Sequence, residues 1–113
     1  MKELKFSYEE ENDDLFVYLE NYKSAGAVEL GNFVFDFDGD KNVIAIQIFE
    51  ASKVLAKVVS KVIELTKIKK IEAEVTNFRN MDAMKMRIIT DSGTSEGTVM
   101  IPLIKGKSPS LNY

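Results

Sequence analysis

Chemistry in a chain without cysteine, histidine or tryptophan has to come from carboxylates, lysines, hydroxyls and tyrosines. Thiolate nucleophiles, imidazole acid–base catalysis, disulfides and Cys/His zinc sites are excluded together. Three groupings are left to weigh. Asp36-Phe37-Asp38-Gly39-Asp40-Lys41-Asn42 sets carboxylates at alternate positions around a tight loop, as a hard cation would require. An EF-hand loop needs Gly sixth and Glu twelfth, whereas counting from Asp36 the Gly is fourth and the twelfth residue is Gln47. A strand with its polar residues outward, followed by a Gly-Asp turn, accounts for the same alternation, so no metal is assigned. Glu9, Glu10, Glu11, Asp13 and Asp14 crowd a second loop. Paired carboxylates act as acid and base only where a cleft separates their pKa values, and this loop reads as a solvated hairpin tip. Lys53, Lys57 and Lys61 follow at i, i+4 and i+8, a stripe that could meet phosphates. The low pI of about 5.0 and the absence of Arg from the stripe favour a solvated face instead. Ser52–Lys53 and Ser60–Lys61 fail as catalytic dyads, because adjacent helical residues do not face each other. No Gly-rich phosphate loop or G-x-S-x-G elbow is present. No catalytic residue and no cofactor is therefore expected.

The elements carrying these groups can be read by side-chain parity. Leu4-Lys5-Phe6-Ser7-Tyr8 and Leu15-Phe16-Val17-Tyr18-Leu19 form a hairpin with Tyr8 opposite Leu15 and Phe6 opposite Val17. Phe33, Phe35 and Phe37 share one face and meet Ile48, Ile46 and Ile44 across a four-residue loop. Ala27 to Leu30 is a candidate short strand. From Glu50 onward, Val54, Leu55, Val58, Val59, Val62, Ile63 and Leu65 follow helical spacing, predicting one amphipathic helix with Lys53, Lys57 and Lys61 on its polar side. Three more strands follow. With a loop at Phe78-Arg79-Asn80-Met81, Val75 meets Met84 and Ala73 meets Met86, which sets Glu74 opposite Lys85 and Glu72 opposite Arg87. A turn at Ser92-Gly93-Thr94-Ser95 brings Val99 to Ile88 and Ile101 to Met86. Pro102 suits a sheet edge, and residues 105–113 read as a flexible C-terminal tail.

The expected fold is α+β: four or five antiparallel strands, one amphipathic helix, then a three-stranded antiparallel meander, all in a single domain over 1–104. The chain has 113 residues, 45% of them hydrophobic and 29% charged, as in ordinary globular proteins. Residues 1–50 hold four Lys against twelve acids, a balance of −8, while 51–113 hold eleven Lys or Arg against six acids, a balance of +5. Such an asymmetry marks a partner-binding face or two elements attracting one another within the fold. No export signal and no stretch of membrane-spanning length appears, so the expected location is cytoplasmic with no membrane association.

Two segments carry a resemblance. Tyr8-Glu9-Glu10-Glu11-Asn12-Asp13-Asp14-Leu15-Phe16-Val17-Tyr18-Leu19 is similar to a Y-D-x-x-x-D-x-L-Y-I-x-L block. Asp36-Phe37-Asp38-Gly39-Asp40-Lys41-Asn42-Val43-Ile44-Ala45-Ile46-Gln47-Ile48-Phe49-Glu50-Ala51-Ser52 is similar to a D-Y-D-x-x-G-x-I-V-G-I-E-I-L-D-A-S block. Both blocks belong to the small family called domain of unknown function 2283, which residues 4–55 resemble. Ala45 departs from the family's Gly, and Gln47 and Glu50 match its acids only loosely. The resemblance implies a β-rich start leading into a helix, and a regulatory, antitoxin-like role. A non-catalytic protein-interaction module is thus expected, binding a protein partner and forming a homodimer. Phe16 and Tyr18, on the face away from Val17, are the surface that needs cover. The alternative is a nucleic-acid-binding protein using Lys53, Lys57 and Lys61.

Overall fold

The computed structural model describes residues 1–78 and 81–101. Five strands come first: β1 (Lys2–Glu9), β2 (Asp14–Tyr18), β3 (Gly26–Leu30), β4 (Phe33–Phe37) and β5 (Val43–Ile48). A helix α1 (Ala51–Val58) and a single 3-10 turn (Leu65–Lys67) lead to β6 (Ile68–Phe78), β7 (Met81–Thr90) and β8 (Gly93–Ile101). All eight strands join one antiparallel sheet in the order β3-β4-β5-β2-β1-β6-β7-β8. This corrects the expected α+β arrangement of a hairpin group, a helix and a separate meander. The two strand groups are one sheet because β1 serves both. Its second half pairs with β2 from Lys5 to Glu9, and its first half pairs with β6, Leu4 lying opposite Ile71 and Lys2 opposite Ala73. Both ends of the sheet then feed one core: Leu15, Val17, Phe35, Ile46 and Ile48 share it with Ile71, Met84, Met86, Ile88 and Val99. The sheet therefore curls around its apolar face, and α1 contributes only Ala51 and Leu55 to the fully buried set.

The helix is shorter than its periodicity predicts. Val54, Val58, Val59 and Val62 are β-branched and poor at extending a helix. The turn at its end decides the stop. Ser60 adopts a left-handed φ of 56°, and the Lys61 amide reaches back to the Ala56 carbonyl at 3.0 Å, a Schellman closure. Beyond it Val62 is 82% exposed, while Ile63 and Leu65 re-enter the core from an extended segment and the 3-10 turn.

Register agrees with side-chain parity in the first hairpin from Phe6 to Tyr8, at Phe33–Ile48 and Phe35–Ile46, and along β6–β7 from Ile71 onward, whereas Leu4, expected opposite Leu19, faces Ile71. Two pairings differ. A bulge between Asp36 and Phe37 sets Phe37 opposite Val43 instead of Ile44. The β7–β8 turn is tighter than expected, with Thr90 opposite Gly93, so Ile88 faces Ser95, Met86 faces Gly97 and Met84 faces Val99. A four-residue slip keeps each side chain on its own face, which is why parity alone could not detect it. The solvent-face charges regroup accordingly. Arg87 bridges Glu96 at 2.7 Å and Glu72 at 3.3 Å, and Lys85 turns to Glu96 at 3.6 Å, away from Glu74. The expected loop at Arg79-Asn80, the Pro102 edge and the tail lie outside the described residues.

Gly97 shows how tightly α1 is seated. A Cβ there would stand 2.6 Å from Val58 Cγ1 and nearer still to the Val58 carbonyl oxygen. Alanine in place of a strand glycine ordinarily helps, by restricting the unfolded chain. Gly97→Ala should instead lower the unfolding free energy by about 1–3 kcal/mol, because the helix backbone has to move. Gly26→Ala, on an edge strand with nothing within 4 Å, should be neutral or gain up to about 1 kcal/mol. Urea denaturation of the two variants against the parent checks both signs, and an unaffected Gly97→Ala would refute the close helix–strand contact.

Candidate functional site

Phe16 and Tyr18 alternate along β2 with the fully buried Leu15 and Val17, so their rings lie on the outer face of the curl. They stack with centroids 4.9 Å apart. Asn21, at a left-handed φ of 62°, turns the chain back after β2, and the Tyr22 amide donates to the Leu19 carbonyl. That turn delivers a third ring, with Tyr22 at 5.8 Å from Tyr18 and 6.1 Å from Phe16. Ser7 and Gln47 flank Phe16, and Lys5 and Ala45 flank Tyr18, on neighbouring strands. Alternation along β2 alone places the first two rings on this face. Tyr22 escaped it because an irregular connection, with no period to read, brings it there.

The three lysines do not form one helical stripe. Lys53 pairs with Glu50 at 3.7 Å, Lys57 is exposed on the last turn, and Lys61 falls beyond the helix end. Among the described residues, neither Lys57 nor Lys61 has an ion-pair partner. Lys57 stands one turn from Val54, and Val54 and Val58 form one wall of an open groove of about 610 Å³. Leu30 at the end of β3 and Met100 on β8, 50% and 42% exposed, line its rim. The groove therefore lies between parts of the sheet's two edge strands. A second apolar opening of about 740 Å³ lies within the curl and includes Leu4, Leu19, Val43 and the half-exposed Val75. Among the described residues no polar or charged side chain is buried, and no group of three or more Asp or Glu is placed to hold a metal ion.

The acidic loop is not uniformly solvated. Asp13 takes a left-handed φ of 55° and turns its carboxylate to the start of α1. Its oxygens accept the Ser52 hydroxyl at 2.7 Å, the Ser52 amide at 3.0 Å and the Tyr8 hydroxyl at 2.6 Å, and its backbone carbonyl accepts the Ala51 amide at 2.8 Å. The next two amides, of Lys53 and Val54, go to the Glu50 carbonyl. The amides of Ala51 to Val54 are thus all satisfied, the first two of them by Asp13, a residue of the distant first hairpin. Burial alone would raise the Asp13 pKa, but the hydrogen bonds from Tyr8 and Ser52 outweigh it and hold the carboxyl below its usual range. Burial and the bond to Asp13 push the Tyr8 phenol up to about 12. Asp38 has a comparable local task. Its carboxylate accepts the backbone amides of Asp40 and Asn42, both at 2.9 Å, which closes the β4–β5 loop and lowers its pKa. The alternating acids that suggested a cation are accounted for by turn geometry.

No family model and no solved structure matches the chain. Over 50 residues it is 42% identical to the uncharacterized protein MJ0789 of Methanocaldococcus jannaschii. That match spans 44% of this chain and 43% of the relative, less than half of either. No helix among the described residues is long and apolar enough to cross a membrane.

Two predictions come from the carboxylates. A depressed pKa means Asp13 stabilises the fold above its unfolded value of about 3.9 and that this contribution is lost as pH falls through the folded value. Asp13→Ala should destabilise the protein by about 1 kcal/mol at neutral pH, and the gap to the parent should narrow as pH falls below the ordinary carboxylate range. Thermal melts across pH test both parts. Excess calcium should leave the melting temperature unchanged, whereas a saturable rise abolished by Asp38→Asn would restore the cation reading.

Proposed function

We propose that this protein is a non-catalytic interaction module that self-associates as a homodimer and binds a protein partner. The observation carrying this reading is the cluster of Phe16, Tyr18 and Tyr22 on the outer face, opposite the side chains that fill the core. Stacked aromatics supply a large, stiff contact area at little entropic expense, and Tyr hydroxyls remain satisfied at a wet rim. Contiguous apolar surface of this kind marks interaction sites on small proteins, and a self-complementary patch is most simply covered by a two-fold copy of itself. The non-catalytic part of the reading draws support from the residue inventory: histidine and cysteine are absent, and the Ser52 hydroxyl is engaged in holding the helix start to Asp13. An antitoxin-like role, implied by the family resemblance, is one form that binding of a protein partner takes.

Sedimentation equilibrium at micromolar concentration tests the dimer. The parent should show twice the 12.8 kDa chain mass, and Phe16→Ser with Tyr18→Ser should weaken association by roughly tenfold or more. Circular dichroism of the variant verifies that the sheet is retained. A mass of 12.8 kDa at every concentration, or a dimer indifferent to the substitutions, would remove the proposed interface.

A further inference from the structure

We infer that the opening within the curl binds an aliphatic carboxylate, its chain against the inner face of the sheet and its head group at Lys2. This goes beyond self-association and uses the face opposite the aromatic rings. The opening holds about 740 Å³, within the roughly 300–1,000 Å³ of small-molecule sites. Leu4, Val17, Leu19, Ile46, Val75 and Met84 make its inner wall, all on the core-facing side of their strands. Val75 is half-exposed and Leu4 and Leu19 are incompletely buried, so the wall presents apolar surface to whatever enters. No ring side chain lines the opening, and a bendable aliphatic chain matches its concave wall. A peptide strand finds no end of the sheet to extend here, because β5, β2, β1, β6 and β7 are consecutive.

Charge selects the head group. Lys2 lines the opening, lies opposite the buried Ala73 and shares the face of Leu4, so its stem follows the inner wall. The other charges at the rim already have partners. The Met1 amino group meets Glu74 at 3.8 Å, and the Asp38 carboxylate accepts the amides of Asp40 and Asn42. Among the described residues Lys2 has no ion-pair partner. Asp82 shares the face of Met84 and lies past it on β7, opposite Ile101. It has an interaction of its own, and β6 separates its strand from that of Lys2. Its charge repels a carboxylate from the β7 end of the opening and so favours the Lys2 end. An alcohol would leave Lys2 unpaired, and an alkylammonium would be repelled by it.

The test titrates the full chain with hexanoate, octanoate, decanoate and dodecanoate below their micellar concentrations. Calorimetry should show affinity rising by about twofold to fourfold per added methylene until the wall is covered. With isotope-labelled methionine methyls, the Met84 signal should move, while that of Met100, at the groove beside α1, should not. Lys2→Glu, at an exposed position, should weaken decanoate binding by roughly threefold to tenfold. It should leave decanol binding unchanged, which a loss of folding would not. Val75→Asp should weaken both ligands. Phosphatidylglycerol vesicles should not sediment the protein, which separates a monomeric ligand from a membrane surface. Five results would overturn the inference: no binding of any carboxylate, equal affinity for decanoate and decyltrimethylammonium, indifference to Lys2→Glu, sedimentation with the vesicles, or decanoate binding that occurs only after residues 102–113 are deleted. Phe16→Ser with Tyr18→Ser serves as the control. It should leave decanoate binding intact, so failure of the dimer and failure of the opening are separate outcomes.

Discussion

One carboxylate holds the two kinds of secondary structure together. Asp13 ends the β1–β2 hairpin, yet two of its hydrogen bonds go to Ser52 in the first turn of α1 and a third comes from Tyr8 on β1. Without it, the Ser52 amide in the first turn of an eight-residue helix would lose its partner, and a helix that short has little intrinsic stability. The bond set also fixes direction. With its start tied to the hairpin, α1 runs toward β8, where its last residue lies over Gly97. The left-handed conformations at Asp13, Glu50 and Ser60 fall where the chain enters and leaves this arrangement. Each is unfavourable for a residue with a Cβ, and each is held in place by the hydrogen bonds around it.

The curl of the sheet follows from a division of labour along β1. A strand paired with β2 over one half and β6 over the other has to bend with the accumulated twist. That bend lets two groups of strands, distant in sequence, line one core. It also leaves two edges, β3 and β8, with a short helix between them. Four of the exposed apolar residues lie where the curl is incomplete: Leu30 and Met100 at the groove, Met1 and Val75 at the other opening. On the outer face of β6, β7 and β8, acids and bases neutralise one another in a cross-strand network.

Sequence by itself determined whatever depends on a period of two. The faces of β1, β2, β4, β6 and β7, the pairing of Phe6 with Val17 and of Val75 with Met84, and the outward aromatics Phe16 and Tyr18 all follow from alternation. A wrong parity would have exchanged core and solvent, so these features are strongly encoded. Tertiary structure decided what alternation leaves degenerate. The β7–β8 slip changes neighbours without changing faces, and the β1–β6 pairing that merges two strand groups into one sheet joins residues about seventy positions apart. The end of α1 at Val58 rests on a left-handed Ser60, although the apolar spacing continues to Leu65. Asp13 reads in sequence as one acid among five. Only the folded chain brings it to Ser52, because a hydrogen bond between residues 39 positions apart leaves no local periodic trace.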